Sequence, residues 1–342
     1  MRAARIHAHG GPEVLRVEEV ADPQPGPFDV LVRQQGTSVN HRDVWLRKGL
    51  PDETFQLPLP SILGIDVAGE IIAVGAEVSS LNVGDRVISN PYIACGKCHA
   101  CLRQRYHHCA RIDIANGAYA EMVVVPEERA IAIDASVSSE HAACFANTYI
   151  TAWEMLVEKA GITPDDVVFI WGGTSGLGSA AIDIAKLVGC TVIATAGQEQ
   201  KLAVLAGLKP DLVLDHFVDD VVGKVMEFTG GAGASVVFEH VGTATWERTV
   251  ELAASGARIV SAGLTSGRTL KLDVVTMIMK QFSITGSCLG TMASARAAVR
   301  QLNLGRLTPL IGCRIPLSSI VDAHKLIDEG KVAGKILIDV DQ

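Results

Sequence analysis

The sequence has few of the features that membrane or nucleic-acid-binding proteins need. It contains no uninterrupted apolar run of about 18 residues, so no transmembrane helix is predicted. Its first residues include basic side chains with no apolar segment behind them, so a secretory signal is not predicted either. With a net charge of −8, the chain is not expected to bind nucleic acid or an anionic membrane surface. The basic cluster within residues 103–111 is interpreted as a solvated loop.

Internal repeats and low-complexity linkers are also missing. The 342 residues, 48% of them hydrophobic and 20% charged, suit a globular protein of about two domains. Up to about residue 135, short apolar runs broken by Gly and Pro predict a compact, barrel-like β domain. From about residue 140 the periodicity becomes helical, with Ser139 as the expected N-cap and Gly161 just past the helix.

Six apolar runs then alternate with helical segments, which is typical of a parallel, doubly wound sheet. We predict strands at 167–171, 191–195, 212–214, 236–239, 258–262 and 283–287, and helices near 177–187, 199–206, 218–228, 245–253 and 274–280. Six strands is the number of a complete dinucleotide-binding fold. A further helix and a last strand, "GKILIDV", exceed what this sheet needs and could return to the first domain.

A glycine-rich turn, "GGTSGLG", follows the first of these strands and opens a helix. Gly173, Gly176 and Gly178 allow a tight turn, close approach of the backbone to a pyrophosphate, and close helix–strand packing. Ser175 stands where the strict motif has its middle glycine. The position of the turn in a βαβ unit nevertheless predicts a dinucleotide site, which also includes Thr174 and Leu177.

The end of the second strand of this sheet bears on the choice between NAD(H) and NADP(H). An NAD-binding site usually has a carboxylate there, but this chain has Ala196 and Gly197. Lys201 follows within one helical turn and could pair with a 2′-phosphate, although it could also be an ordinary surface lysine. We predict NADP(H), with NAD(H) still possible.

Cysteine is present but unevenly distributed, with four of the eight cysteines in one short segment. Their spacing, C-x2-C-x2-C-x7-C, lets four sulfurs converge tetrahedrally and complete the coordination of a structural zinc ion. The predicted ligands are Cys95, Cys98, Cys101 and Cys109. Clustered thiolates in a chain of this length favour metal binding in a reducing cytoplasm over a disulfide scaffold. Iron–sulfur ligation is a minor alternative.

Taken together, the chain resembles the medium-chain dehydrogenase/reductase superfamily over essentially its whole length. The resemblance rests on "NHRD" at 40–43, "GIDVAGEIIAVG" at 64–75, "VGDRV" at 83–87, "GAYAEMVVVP" at 117–126, the cysteine segment and the glycine loop. It implies an α/β fold with a GroES-like β-barrel catalytic domain, residues 1–147 and 289–342, and a zinc lobe at 95–109. It further implies a six-stranded Rossmann domain for NADP(H), residues 148–288.

The resemblance also shows what this chain has lost. In zinc alcohol dehydrogenases a catalytic zinc is held by a cysteine, a histidine and a second cysteine, and those places here are Asn40, Ile65 and Cys144. Isoleucine cannot ligate zinc, and asparagine is a poor ligand. Arg42 also stands where those enzymes have the Ser or Thr of a proton relay. We therefore predict one structural zinc ion and no catalytic one, with Cys144 as a buried residue.

These departures bring the chain close to the zinc-independent quinone oxidoreductases, which typically use NADPH. The resemblance carries adenosine-phosphate contacts to Gly197, Lys201 and His216, and it adds Gly263 and His41 to the cofactor site. It also implies a homodimer or homotetramer. The intact zinc lobe is unusual for that branch, so the pattern is mixed.

Reduction of a conjugated carbonyl or quinone needs less electrophilic help than alcohol oxidation, because the developing negative charge is delocalised. Asn40 is the predicted hydrogen-bond donor to the substrate oxygen, although it could instead cap the backbone. Trp45 could stack on a flat substrate or belong to the core. The predicted function is NADPH-dependent reduction of quinones or α,β-unsaturated carbonyls. The alternatives are a zinc-family alcohol dehydrogenase or carbonyl reductase, and a non-catalytic NADPH-binding redox sensor.

Overall fold

A computed structural model of the chain describes residues 1–49 and 57–340. Its contacts divide the chain into two compact units. The first contains Met1–Asn147, Thr291–Gly305 and the chain from Pro309 on, and the second contains Thr148–Gly290 with Arg306–Thr308. From the sequence we also expected the loop "PDETFQLPLP", residues 51–60, to form part of the substrate-pocket wall, and most of this loop lies outside the described residues.

The first unit is built mainly of short antiparallel strands. They are β1 (Arg2–Ile6), β2 (Leu15–Glu19), β3 (Asp29–Ser38), β4 (Ser61–Ile62), β5 (Ala68–Val74), β6 (Arg86–Ser89), β7 (Tyr92–Ile93), β8 (Asp113–Ile114), β9 (Met122–Pro126) and β10 (Ala130–Ala132). Its helices up to residue 143 are α1 (His41–Lys48), α2 (His99–Leu102) and α3 (Ser139–Ala143). This confirms the predicted β-rich first domain.

The longest sheet of this unit has the order β10-β6-β5-β3, and β9 also pairs with β3. Alternate residues of β3 point to an apolar interior, where Val30 and Val32 pack with Ile71 of β5 and Val87 of β6. This alternation follows from the two-residue repeat of a β-strand. The ten-residue β3 ends at Ser38, two residues before Asn40, and so positions the start of α1.

The second unit contains a six-stranded sheet with helices between its strands. The strands are β11 (Val167–Ile170), β12 (Thr191–Ala196), β13 (Leu212–Asp215), β14 (Ala234–Glu239), β15 (Ala253–Ser261) and β16 (Ser283–Gly286). The helices are α4 (Ala146–Trp153), which begins just before this unit, α5 (Gly176–Val188), α6 (Glu199–Gly207), α7 (Val221–Phe228), α8 (Trp246–Leu252) and α9 (Val274–Lys280).

All pairings in this sheet are parallel, and its order is β13-β12-β11-β14-β15-β16. The order reverses at β11, which is the arrangement of a doubly wound dinucleotide-binding fold. The predicted six-stranded Rossmann sheet is therefore confirmed. One core packs Phe169 and Trp171 of β11 against Val237 of β14 and Ile259 of β15.

The last part of the chain contains α10 (Met292–Asn303), β17 (Ile311–Pro316), α11 (Ile320–Asp328) and β18 (Lys335–Asp339). β18 pairs antiparallel with β3 and parallel with β17, so these strands extend the sheet of the first unit. The sequence analysis expected the helix and the last strand but did not identify β17 or α11.

One helix boundary was predicted wrongly. The N-cap before α3 is Ser138 rather than Ser139, and its hydroxyl accepts a hydrogen bond from the His141 backbone N–H at 3.2 Å. The predicted single helix is also divided, because α3 ends at Ala143, α4 begins at Ala146, and a π-helical turn covers Glu154–Lys159. None of the described helices combines the length and apolarity needed to cross a bilayer.

Candidate functional site

The four predicted metal ligands converge in the first unit. The sulfur atoms of Cys95, Cys98, Cys101 and Cys109 all lie within 4.8 Å of one another. The Cys98 sulfur is 3.5 Å from that of Cys101 and 4.0 Å from that of Cys109. A tetrahedral zinc ion with Zn–S bonds of 2.3 Å separates its sulfurs by about 3.8 Å. The four thiols therefore fit a structural zinc ion.

This lobe, residues 95–109, has little regular secondary structure. It contains the four-residue α2 and a short 3-10 turn, and the two-residue strands β7 and β8 flank it. Leu102 of α2 is 74% exposed, whereas Cys101 and Cys109 are buried. The backbone N–H groups of Cys95 and Arg111 both point at the Cys109 sulfur, at 3.3 and 3.4 Å. Such donors stabilise a thiolate, which is the form that binds zinc.

The glycine loop lies in the second unit, between β11 and α5. Ser175 caps α5, with its hydroxyl accepting from the Gly178 N–H at 2.9 Å. A β-carbon at Gly178 would lie only 2.3 Å from the Gly172 carbonyl oxygen, so this position needs glycine for close packing. The start of a helix presents free N–H groups and a positive dipole end, which suit the pyrophosphate of a dinucleotide.

The predicted adenosine contacts meet at the carboxyl ends of β12 and β13. Ala196 pairs with Asp215, so the residues that follow them, Gly197 and His216, are neighbours. The His216 Nδ1 atom lies 3.2 Å from the Thr195 hydroxyl. Burial lowers the pKa of His216, and the positive charge of Lys201 lowers it further. The imidazole is therefore neutral at pH 7 beside the Lys201 ammonium.

Gly263, which follows β15, is packed as closely as the loop glycines. A β-carbon there would lie 1.9 Å from the His240 carbonyl oxygen, so a side chain cannot be accommodated without movement of the backbone. This closeness supplies a packing reason for glycine at the position. The assignment of Gly263 to the cofactor site remains a prediction.

Asn40 lies at the N-cap position of α1 and is 5% exposed. Its side-chain Nδ2 atom donates to Asp66 Oδ2 at 2.9 Å and to the Ser38 carbonyl at 3.3 Å. Its Oδ1 atom accepts from Asn147 Nδ2 at 2.7 Å and from Lys335 Nζ at 2.5 Å. The side chain is thus directed into a buried polar cluster, so donation to a substrate requires a change in this bonding.

Asp66, Asn147 and Lys335 are members of this cluster that sequence reasoning missed. Asp66 follows Ile65 in the "GID" motif, and its carboxylate accepts from the Ser38 hydroxyl at 2.6 Å and from the Asn147 backbone N–H at 2.8 Å. Lys335 Nζ lies 3.2 Å from Asp66 Oδ2, in a pair that is almost fully buried. The signal in the sequence for Lys335 was a lysine directly before the apolar run "ILI" of "GKILIDV".

A catalytic zinc ion does not fit the residues found here. Ile65 has no ligand atom, and Asn40 Oδ1 is engaged by the Lys335 ammonium. Of the three places, only Cys144 offers an atom that zinc favours, and it is a single buried thiol. Within residues 1–49 and 57–340, the cysteine lobe is the only converging group of three or more metal-binding side chains.

The other predicted residues of the first motif lie on α1. His41 is exposed and Trp45 is half-buried, with their ring centroids 6.5 Å apart. Arg42 donates to Asn116 Oδ1 at 2.6 Å. Trp45 is therefore not a fully buried core residue. One face of α1 carries the rings of His41 and Trp45, and His41 directly follows Asn40 in the chain.

Known proteins share both the sequence and the fold of this chain. The family "Alcohol dehydrogenase GroES-like domain" matches residues 26–135, and the family "Zinc-binding dehydrogenase" matches residues 176–303. A solved structure of an NAD-dependent alcohol dehydrogenase is 38% identical, with a TM-score of 0.93 over 99% of this chain and 100% of that one.

Curated relatives include enzymes of both types that the motifs indicated. An alcohol dehydrogenase of Schizosaccharomyces pombe is 28% identical, and a quinone oxidoreductase of Homo sapiens is 27% identical. Each alignment covers 99% of this chain and 97% of the relative. The chain therefore belongs to the medium-chain dehydrogenase/reductase superfamily. It is an NAD(P)-dependent oxidoreductase with a GroES-like domain and a Rossmann domain.

Proposed function

We propose that this protein reduces quinones or α,β-unsaturated carbonyl compounds by hydride transfer from NADPH, without a catalytic metal. The observation that carries the proposal is the cluster around Asn40. At the three places where zinc-dependent members have metal ligands, this chain has the Asn40 amide, the aliphatic Ile65 and a single buried thiol, Cys144. The buried Lys335 ammonium lies against the amide. These groups favour a reaction in which hydrogen bonds, rather than a Lewis acid, stabilise the developing oxyanion.

The chain's own residues bind and orient the two reactants. The glycine loop and the N-terminus of α5 hold the pyrophosphate, and Lys201 pairs with the adenosine 2′-phosphate. Asn40 donates a hydrogen bond to the substrate oxygen, and Trp45 covers one face of a flat substrate. Bound NADPH supplies the hydride. Most of the rate then comes from holding two planar groups face to face.

The preference for NADPH rests on the ends of β12 and β13. No carboxylate of β12 competes with a 2′-phosphate there, because the strand ends at Ala196 and is followed by Gly197. The Lys201 ammonium lies close enough to lower the pKa of His216. The corner therefore combines the positive charge of Lys201 with a neutral imidazole. We assign Gly197, Lys201 and His216 to the 2′-phosphate site.

The remaining proposals concern the domains, the structural metal and the cellular location of the protein. We propose that residues 1–147 and 289–342 form the catalytic domain, that residues 148–288 form the cofactor domain, and that the cysteine lobe holds one structural zinc ion. The convergence of four thiols on a candidate metal site supports a reducing, cytoplasmic location.

Self-association is supported by an apolar surface of the second unit. β16 is the last strand of its sheet, and the neighbouring α9 exposes Val275, Ile278 and Met279 at 66%, 61% and 73%. An exposed edge strand beside an apolar helix suits pairing with a second copy. We propose a homodimer or homotetramer built through this surface, defined as the α9–β16 surface.

A second candidate function is alcohol oxidation or simple carbonyl reduction. It is favoured by the names of the S. pombe relative and of the 38% identical solved structure, both alcohol dehydrogenases. The two functions differ in their need for a metal near the substrate.

Substrate assays distinguish them. The purified protein, treated with a chelator that spares the four-cysteine lobe, is assayed with NADPH against quinones and enones, and with NADP⁺ and NAD⁺ against alcohols. We expect turnover of quinones or enones that is unaffected by added zinc. Turnover confined to alcohols and dependent on added zinc would overturn the proposal.

A further inference from the structure

A buried lysine lies at the centre of the Asn40 cluster. Lys335 is the first residue of β18 and is 4% exposed. Its Nζ atom donates to Asn40 Oδ1 at 2.5 Å, to the Val39 carbonyl at 3.1 Å and to Asp66 Oδ2 at 3.2 Å. An ammonium group has three donors and no acceptor, and here all three hydrogens have acceptors.

This donor-only group determines which way the Asn40 amide faces. The two ends of an asparagine side chain have nearly the same shape, so their orientation follows from their hydrogen-bond partners. An ammonium on one side requires Oδ1 there, and the Asp66 carboxylate on the other side requires Nδ2. The Asn147 amide supports the same orientation by donating to Oδ1 at 2.7 Å.

Asp66 in turn holds the lysine in place. Its carboxylate balances the buried positive charge and is fixed by the Ser38 hydroxyl and the Asn147 backbone N–H. Buried ion pairs are tolerated when their remaining hydrogen-bonding positions are also satisfied, which is the case here. The ion pair and the amide therefore form one rigid unit that joins β3, β18 and the loop before β5.

We propose that Lys335 is a positioning residue for the reduction, acting through Asn40, and this inference rests on the proposed function. With Oδ1 held by Lys335, the amide can present only N–H to a substrate oxygen. The bond from Nδ2 to the Ser38 carbonyl, at 3.3 Å, is the longest that this amide makes and the one whose hydrogen is most easily redirected. A reversed amide would place an acceptor against developing negative charge and slow the reaction.

A double-mutant cycle tests whether Lys335 acts through Asn40. Lys335→Met should lower kcat for enone or quinone reduction about 10- to 100-fold, because one oriented donor is worth roughly that much or more. The KM for NADPH should not change. Asn40→Ala should lower kcat similarly, and the double variant should be no slower than Asn40→Ala alone. Additive losses would overturn the proposal.

Lys224→Met is the control. Lys224 pairs with Asp219 on the surface of the second unit, outside α9 and β16. We expect its kcat to remain near that of the wild type. If Lys335→Met does not fold, Lys335→Leu serves instead, because leucine also fills the site without a charge and has no donor for Asn40 Oδ1. Wild-type kcat in the variant that folds would overturn the proposal.

Two readouts separate this proposal from the proposed function. If the wild-type protein turns over no quinone or enone, the proposed function is overturned. The role of Lys335 in that reaction is then overturned as well. An active wild type with an unchanged Lys335→Met variant would overturn only the role of Lys335. A crystal structure of the variant should also show an altered hydrogen-bond pattern at the Asn40 amide, and an unchanged pattern would contradict the inference.

Discussion

His324 lies fully buried on α11, where its Nε2 atom is 3.2 Å from the Tyr119 hydroxyl. Burial, together with the nearby Arg47 charge, lowers the pKa of His324 to about 3. The Tyr119 hydroxyl also donates to Asp43, whose pKa is raised by burial to about 6. Two buried groups of one network therefore respond to pH in opposite directions.

The signs of the two effects differ. A histidine with a lowered folded-state pKa stabilises the fold above its unfolded pKa of 6.5, and that stability is lost as pH falls toward 3. A carboxyl group with a raised folded-state pKa stabilises the fold at low pH, and that contribution is lost as pH rises from 3.8 through 6. When pH falls from 7 to 5, the histidine lowers the free energy of unfolding by about 2 kcal/mol, whereas the carboxyl group raises it by roughly 1 kcal/mol. The histidine effect therefore dominates.

We predict that His324→Gln removes most of the acid sensitivity of this network. The free energy of unfolding is measured by urea titration in the presence of zinc. When pH falls from 7 to 5, the wild type should lose about 2 kcal/mol more of this free energy than the variant does. The exposed His7→Gln is the control and should behave like the wild type. An identical pH response in His324→Gln and the wild type would contradict the account.

Lys201 provides a second test at the scale of one residue. Lys201→Ala should raise the KM for NADPH about ten-fold or more, because a charge-assisted contact to the 2′-phosphate is lost. The KM for NADH should not change, since NADH has no phosphate there. Lys224, which pairs with Asp219 on the surface, provides the control substitution Lys224→Ala. Equal effects on NADPH and NADH would remove Lys201 from the phosphate site.

At the scale of elements, the glycine loop depends on close packing of α5 against the end of β11. Gly178→Ala introduces a β-carbon 2.3 Å from a backbone oxygen, and overpacking of this kind costs about 1–3 kcal/mol. We expect a lower melting temperature and weaker NADPH binding in calorimetry. Gly207→Ala in α6, where a β-carbon meets no atom within 4 Å, should preserve both. Equal behaviour of the two variants would contradict the packing argument.

The zinc lobe is the element that should depend most on its metal. Its regular structure is limited to the four-residue α2 and a 3-10 turn, and its Leu102 and Tyr106 side chains are exposed, so little apolar surface is buried within it. Cys101→Ser should release zinc and permit protease cleavage within residues 95–111 while the six-stranded sheet stays resistant. Cys288→Ser, at an exposed cysteine outside the lobe, should retain zinc and resistance. A protease-resistant, zinc-free lobe would show that the metal is not what holds it.

The accuracy of prediction from sequence differed between elements for physical reasons. The central strands β11, β12 and β14 are largely buried and therefore appear as continuous apolar runs, which made them identifiable. The more exposed strands β13 and β16 were identified from their place in the alternation of strands and helices. The strand β17 is only partly buried and lies outside that alternation, so it was missed. The N-cap error of one residue arose because Ser138 and Ser139 are both competent caps.

The polar cluster at Asn40 could not be predicted in full, because its members are far apart in the chain. Asp66 is 26 residues from Asn40, and Lys335 is 295 residues away. Motif spacing reveals ligands that lie close together, such as the four cysteines, but not a pairing formed only when β18 joins β3. Asn40 and the loss of the zinc ligands were visible in the sequence, whereas the position of Lys335 beside Asn40 was not.

At the scale of the whole molecule, the α9–β16 surface should govern self-association. Ile278→Asp should shift the protein toward monomers in sedimentation velocity, because it places a charge in an apolar contact. Val83→Glu, at a 60% exposed position of the first unit, is the control and should not alter the distribution. A wild-type monomer, or an Ile278→Asp variant that sediments as the wild type does, would exclude this surface.

The account as a whole requires that hydride transfer takes place without a metal ion beside the substrate. Anomalous diffraction at the zinc absorption edge, from crystals grown with NADPH and zinc, tests this most directly. We predict one anomalous peak per chain, surrounded by Cys95, Cys98, Cys101 and Cys109. A second peak coordinated by Asn40 and Cys144 would contradict the account.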